Sequence, residues 1–218
     1  MKLRYAVLLG MVVAAGICAS AATREEPAPP RSLPAPQVTA GKPLMQALNE
    51  RQSRRAFRAQ ALPPQVLANL LWAACGVNRP ASGKRTAPSA VNWQEIDVYV
   101  ALPDGLFLYD ARTNALQPVL AEDIRSAAGR QRFVSEAPAV LIYVADRSRM
   151  GSASDTDKDF YSAVDTGFIS QNVYLFCASA NLATVVLGMV DRPALAKKMG
   201  LRADQRIILT QPVGYPAE

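Results

Sequence analysis

Three arginines and a serine lie within the run Glu50-Arg51-Gln52-Ser53-Arg54-Arg55-Ala56-Phe57. Guanidinium groups beside a hydroxyl suit a phosphate, which they hold through bidentate, charge-assisted hydrogen bonds. The same run also reads as the solvated end of a helix, with cations near its C-terminus. A second group is the loop Arg85-Thr86-Ala87-Pro88-Ser89-Ala90-Val91-Asn92-Trp93-Gln94. Its small residues allow close backbone approach, and its Asn92 and Gln94 amides could read the edge of a flat heterocycle. A polar connection ahead of a strand has the same composition. A third is Val185-Val186-Leu187-Gly188-Met189, where glycine in an apolar strand marks either close approach of a ligand or a bulge.

Composition limits what these groups can do alone. The chain has 218 residues and no histidine, which removes every mechanism built on an imidazole base and the commonest zinc ligand. With three cysteines, a cysteine-rich zinc site is excluded as well, and no metal is expected. Catalysis would therefore rest on a bound organic cofactor. The net charge of +6 is spread along the chain rather than gathered in a basic stripe. That pattern favours small anionic ligands and argues against nucleic acid.

The elements that must position these groups follow from periodicity. Leu44, Met45 and Leu48 start a short amphipathic helix leading into the arginine run. After Pro63-Pro64, the positions Leu67, Leu70, Leu71 and Ala74 have helical spacing, and Gly76 ends that helix. Ile96, Val98, Val100 and Leu102 alternate as in a strand, Pro103-Asp104-Gly105 turns, and Leu106 to Asp110 returns. Residues 121–128 read as a short helix. Ala139 to Ala145 is a continuous apolar run, predicting a central strand buried on both faces. The longest helix spans about Asp157 to Ala180, with Phe160, Val164, Phe168 and Leu175 expected on its buried side. Thr184 to Met189 reads as a strand. Asp191 caps a helix that Gly200 ends, and Ile207 to Val213 is a last strand. The expected fold class is α+β, a mixed central sheet flanked by helices.

The N-terminus reads as an exported leader. Lys2 and Arg4 precede a short apolar run, and Ala19-Ser20-Ala21 is a small-x-small cleavage site, so residues 1–21 are expected to be a signal peptide. The alternative is a lipoprotein signal with Cys18 as the lipidated residue, a membrane tether through the N-terminus. The expected location is periplasmic or secreted. Residues 22–43 are proline-rich and predict an extended linker, leaving 44–218 as the folded domain. Cys75 and Cys177 sit in apolar helical stretches, which favours buried free thiols over a disulfide.

Taken in order, RQSRRAF, APSAVNWQ, DTGFISQNVYLFCASANLATVVLG and QPVGYP resemble the nitroreductase flavoprotein family over about residues 42–216. Within it, the chain is similar to the branch of dehydrogenases that form thiazoles and oxazoles in peptides. The resemblance implies an intertwined homodimer with FMN at its interface, passing electrons from a small-molecule donor to an acceptor in two half-reactions. It implies Arg51 and Ser53 on the FMN phosphate or ribityl chain, and Arg55 near the N1/O2 edge of the ring. Asn92 would hydrogen-bond the ring with Ser89 in the same pocket, and Leu187 and Gly188 would offer backbone amides toward N5/O4. Tyr161 is a candidate proton donor, with packing in the core or an interface as its other reading. Two departures stand out. Many members carry a basic residue after the final VG segment, and residues 215–218 contain none, so Arg54 or Lys84 would have to compensate. The Lys-Tyr pair of the peptide-modifying branch has only Lys158 and Tyr161, which are not adjacent. A non-catalytic extracytoplasmic flavin-binding or interaction protein on the same fold is the alternative function.

Overall fold

The structure, a computed structural model, describes residues 28–217; the predicted signal peptide and Cys18 lie outside them. In chain order the elements are β1 (Arg31–Ser32), α1 (Leu44–Glu50), α2 (Pro64–Cys75), β2 (Val77–Arg79), β3 (Lys84–Arg85), β4 (Ile96–Leu102), β5 (Gly105–Asp110), β6 (Ala115–Leu120), β7 (Ala139–Asp146), α3 (Asp155–Ser179), β8 (Ala183–Thr184), α4 (Arg192–Met199) and β9 (Gln205–Gly214). Seven strands form one sheet in the order β1-β6-β5-β4-β7-β9-β8, and β2 with β3 makes a small separate hairpin.

The α+β class is as expected, but the sheet is not mixed: every described strand pair is antiparallel. Tight turns generate β4-β5-β6 as a meander. The longer excursions through α3 and α4 return β9 antiparallel to β7. β7 is buried along its whole length, as its unbroken apolar run requires between β4 and β9.

Both faces of the sheet are covered. Ile96, Val98 and Val100 of β4 face one core with Leu67, Leu70 and Leu71 of α2 and Ile169 and Val173 of α3. Tyr99 and Ala101 face a second core with Ile124, Val134, Leu187 and Leu195. α2 starts with Pro64 in its first turn, where no intrahelical donor is lost. In α3, the Ser154 hydroxyl accepts the Asp157 N–H at 3.1 Å, and Asp155 and Asp157 complement the helix dipole. Asp191 and Gly200 bound α4 as the sequence predicts, the carboxylate accepting from Ala194 N–H and the glycine at φ +65°.

Several expectations are corrected. The buried side of α3 is not Phe160, Val164, Phe168 and Leu175. It is the row Ser162, Asp165, Thr166, Ile169, Ser170, Val173 and Cys177, while Phe160 and Phe168 are 60% and 44% exposed. Small side chains face the sheet because α3 lies close against it, and the bulky rings turn outward. Residues 121–128 form no α-helix; the Asp123 carboxylate captures the Arg125 N–H and side chain, leaving a single 3-10 turn at Arg125–Ala128. The 184–189 strand is reduced to β8 and an isolated bridge from Leu187 to Thr210. β6, unforeseen because of Pro118, tolerates that proline where the two-residue β1 no longer covers its edge.

The proline-rich stretch is packed from Arg31 onward. Arg31 ion-pairs with Asp104 at 2.6 Å and lies 4.5 Å from the Phe107 ring centroid. Leu33 packs against the first core, and Asn114 Nδ2 donates to Pro34 O at 2.8 Å. Cys75 and Cys177 are free and buried; burial pushes the Cys75 thiol up to about 11 and raises Cys177 further.

Candidate functional site

The arginine run leaves α1 directly. Arg51 caps the helix, its N–H bonded to Ala47 O, and its guanidinium sits 5.4 Å from the ring centroid of Tyr174 on α3. Ser53 Oγ lies 2.9 Å from the same tyrosine's hydroxyl, which also accepts the Val186 N–H at 2.9 Å. Arg54 N–H donates to Thr184 O at 3.0 Å. Tyr174 thereby clasps the arginine segment to the strand leading to Gly188.

Between them lies a cleft of about 540 Å³, with Arg51, Gln52, Arg54, Tyr174 and Asn181 on its walls. Its one acid, Glu50, is neutralised by Lys42 at 2.6 Å, and hydrogen bonds from Lys42 and Gln46 hold that carboxylate below its usual range. The cleft is thus net positive and fits an anion. Arg54 shares this cleft, whereas Lys84 lies in another. Arg55 is exposed and has no ion pair among the described residues.

Leu187 and Gly188 differ from expectation. The Leu187 N–H donates to Thr210 O at 2.8 Å, so it is not available to a ligand. The sheet takes this amide because Leu187, buried in the second core, bridges to β9. Gly188 is exposed, and its N–H has no partner among the described residues. A Cβ there would meet only Leu209 Cδ2, at 3.8 Å, leaving the backbone open to close approach.

Ser89 and Asn92 lie elsewhere. They line a separate cleft of about 310 Å³ with Arg85, Gln94, Glu95 and Asp165. Asp165 and Tyr174 are on the same helix, about 14 Å apart along its axis at 1.5 Å per residue. One chain therefore does not bring Ser89 and Asn92 into the arginine cleft. Ser89 Oγ accepts the Gln94 N–H at 2.8 Å and donates to Glu95 Oε2 at 3.1 Å, and Ala90 N–H donates to Asp165 Oδ2 at 2.9 Å. Val91, Asn92 and Gln94 have φ of 52°, 59° and 49°. Left-handed backbone at non-glycine residues costs about 1–3 kcal/mol each and persists only where the surroundings enforce it.

A model of the nitroreductase family matches residues 48–215. The chain belongs to the nitroreductase family. A protein of Methanocaldococcus jannaschii assigned as a nitroreductase is 31% identical over 186 residues, which is 80% of this chain and 92% of that protein. A solved structure from Ralstonia eutropha, also assigned as a nitroreductase, is 43% identical with a TM-score of 0.83, over 88% of this chain and 98% of that one. A nitroreductase-type structure from Desulfovibrio desulfuricans in complex with FMN shares the fold, with a TM-score of 0.59 and 22% identity, over 81% of this chain and 88% of that one.

In this nitroreductase-family chain the chemistry-bearing residues thus form two groups at opposite ends of α3. Arg51, Ser53 and Arg54 gather at one end, around Tyr174. Ser89, Asn92 and Tyr161 gather at the other, where the Tyr161 ring meets Trp93 edge-on at 5.8 Å and Phe160 at 5.1 Å. The Tyr161 hydroxyl has no hydrogen-bond partner among the described residues. Reading the sequence missed three residues: Tyr174, Glu95 and Asp165. Asp165 did leave a signal, since it begins the row Asp165, Ile169, Val173, Cys177 at helical spacing.

Proposed function

We propose that the protein is an FMN-dependent oxidoreductase that works as a homodimer, using a small-molecule electron donor and acceptor in alternation. The observation that carries this reading is the Arg51–Tyr174–Val186 clasp, which sets two phosphate-competent arginines on one cleft, with the open amide of Gly188 two residues along the chain from Val186. The residues fit the cofactor. Arg51, Arg54 and Ser53 would hold the phosphate and ribityl chain, and the Gly188 N–H would face N5/O4. Arg55 would stand beside the N1/O2 edge, where a cation favours the charge that develops on reduction.

The homodimer reading draws on the split site and on uncovered apolar residues. Leu44, Met45 and Leu48 of α1 and Phe160 and Phe168 of α3 are exposed. A second copy covering them could bring its Ser89 and Asn92 to the first chain's arginine cleft. Such an interface would bury more than about 2,000 Å², the scale of obligate dimers.

When bound, FMN would supply hydride transfer at N5. Arg51 and Arg54 would hold its anionic end. Tyr161, its hydroxyl unengaged, would come with Ser89 and Asn92 from the second copy and there be the candidate proton donor to the reduced acceptor. An exported location, with or without a lipid tether at Cys18, completes the proposal and is checked by sequencing the mature N-terminus. The functional test is the visible spectrum of purified protein before and after anaerobic NADH or NADPH, with the released flavin identified. FMN that bleaches with a donor and recovers with an acceptor is the expected result. Protein that binds no flavin on reconstitution refutes it.

A further inference from the structure

We propose that Glu95 and Asp165 share a single proton, and that this pair is the positioning device that holds the Ser89–Gln94 loop in its strained form. Glu95 is completely buried and Asp165 is 2% exposed. Each carboxyl anchors the loop through one oxygen: Glu95 Oε2 accepts from Ser89 Oγ, and Asp165 Oδ2 accepts from Ala90 N–H. The other oxygen of Glu95, Oε1, is buried with no N–H or hydroxyl partner among the described residues. The Asp165 carboxyl lines the same cleft, and its charge adds to the cost of ionising Glu95. Two buried carboxylates lining one cleft cannot both ionise cheaply, and one proton held between them would halve the charge.

The surroundings offer no other way to neutralise the pair. Arg79, Lys84 and Arg85 of the β2–β3 hairpin line the same cleft, but none forms an ion pair with either carboxyl. Arg79 is committed to Asn78 Oδ1 and Arg85 O. Cys75, also on the cleft wall, is held neutral by burial. Burial, with the Asp165 charge adding to it, pushes Glu95 up to about 7. The loop is therefore anchored while the shared proton is present. Once it leaves, two buried negative charges repel, the carboxyls turn toward water or the hairpin cations, and both anchors go. Val91, Asn92 and Gln94 then lose what holds them in the left-handed region, and Trp93 leaves Tyr161. Only the consequence for FMN rests on the function proposed above; the latch itself does not.

The test uses flavin-free, full-length protein. Trp93 fluorescence is followed from about pH 5 to about pH 9 in a Trp72→Phe background, alongside the infrared band of a protonated carboxyl. The expected result is a protonated-acid band at low pH that disappears as Trp93 fluorescence shifts, with a midpoint near 7. Glu95→Gln keeps a neutral hydrogen-bonding group and is expected to hold the loop across the whole range; Asp165→Asn does the same from the other side if the first variant folds poorly. In FMN-loaded protein, affinity should fall about tenfold per pH unit above the midpoint, and stay flat in Glu95→Gln. Native protein with no protonated-acid band, or a Trp93 transition that persists unchanged in both variants, overturns the proposal. Loss of FMN binding at every pH with the Trp93 transition intact supports the latch and counts against the flavin reading alone.

Discussion

Ser53 Oγ and the Tyr174 hydroxyl lie 2.9 Å apart, joining a segment that follows the first helix to the last turns of the third. The same hydroxyl accepts the Val186 N–H, so one phenol ties three stretches of chain around the positive cleft. Tyr174→Phe keeps the ring beneath Arg51 and removes both hydrogen bonds. A neutral hydrogen bond contributes about 0.5–1.5 kcal/mol, so FMN affinity should fall about 2- to 12-fold with little change in the fold. Fluorescence titration of FMN into the apo-variant measures this, and an unchanged affinity would show that the clasp does not shape the site.

Arg51→Ala should cost more. A hydrogen bond to a charged group contributes about 1.5–3 kcal/mol, so FMN should bind more weakly by about one to two orders of magnitude. The same titration reads it out. Equal affinity in the variant would mean that the phosphate is held elsewhere.

Folding stability should decline as pH rises through the range set by Glu95. Its carboxyl is raised from 4.5 to about 7 in the folded chain, chiefly by burial. Between those values the folded state keeps a proton that the unfolded state has released, so each step up in pH favours unfolding. This contribution is fully present below 4.5 and lost by the time pH passes about 7. Asp146, held low by Ser148 and Arg202 against the cost of burial, acts in the opposite sense and only in acid, as pH falls below its unfolded value. Urea melts across this range should therefore show native protein losing stability where Glu95→Gln stays level. Parallel curves would refute the assignment.

Tyr161→Phe separates packing from proton transfer. The hydroxyl has no partner to lose, and the ring contacts to Trp93 and Phe160 survive the change. Thermal stability should therefore hold, while kcat should fall about 100-fold or more if the phenol delivers the proton. An unchanged kcat would leave Tyr161 a packing residue.

Phe168→Asp puts a charge on an exposed aromatic of α3 that the dimer would cover. Sedimentation at micromolar concentration should give native dimer and variant monomer, and the monomer should release its flavin. A monomer that retains FMN would contradict the shared site.

Much of the architecture was legible because local pattern and tertiary role agree. The all-apolar stretch of β7 can only be a strand covered on both faces, and Pro64 and Gly200 mark helix ends through backbone geometry that belongs to those residue types, Asp191 through its capping carboxylate. The arginine run and the APSAVNWQ loop were also visible, since side-chain chemistry is written in the sequence. Their separation was not. Distance between Arg51 and Asn92 depends on how α1 and the loop pack along α3, and no spacing encodes it. The same holds for α3 itself, where two rows of residues at four-residue spacing compete for the core. Size favours Phe160, Val164 and Phe168, but close approach to the sheet selected Ser162, Thr166 and Ser170, whose small side chains fit. Glu95 and Asp165 look like unrelated surface charges in the chain. Tertiary packing alone removes both from water and sets them against each other, and it is that shared burial, not either residue's type, that turns them into a proton-holding pair.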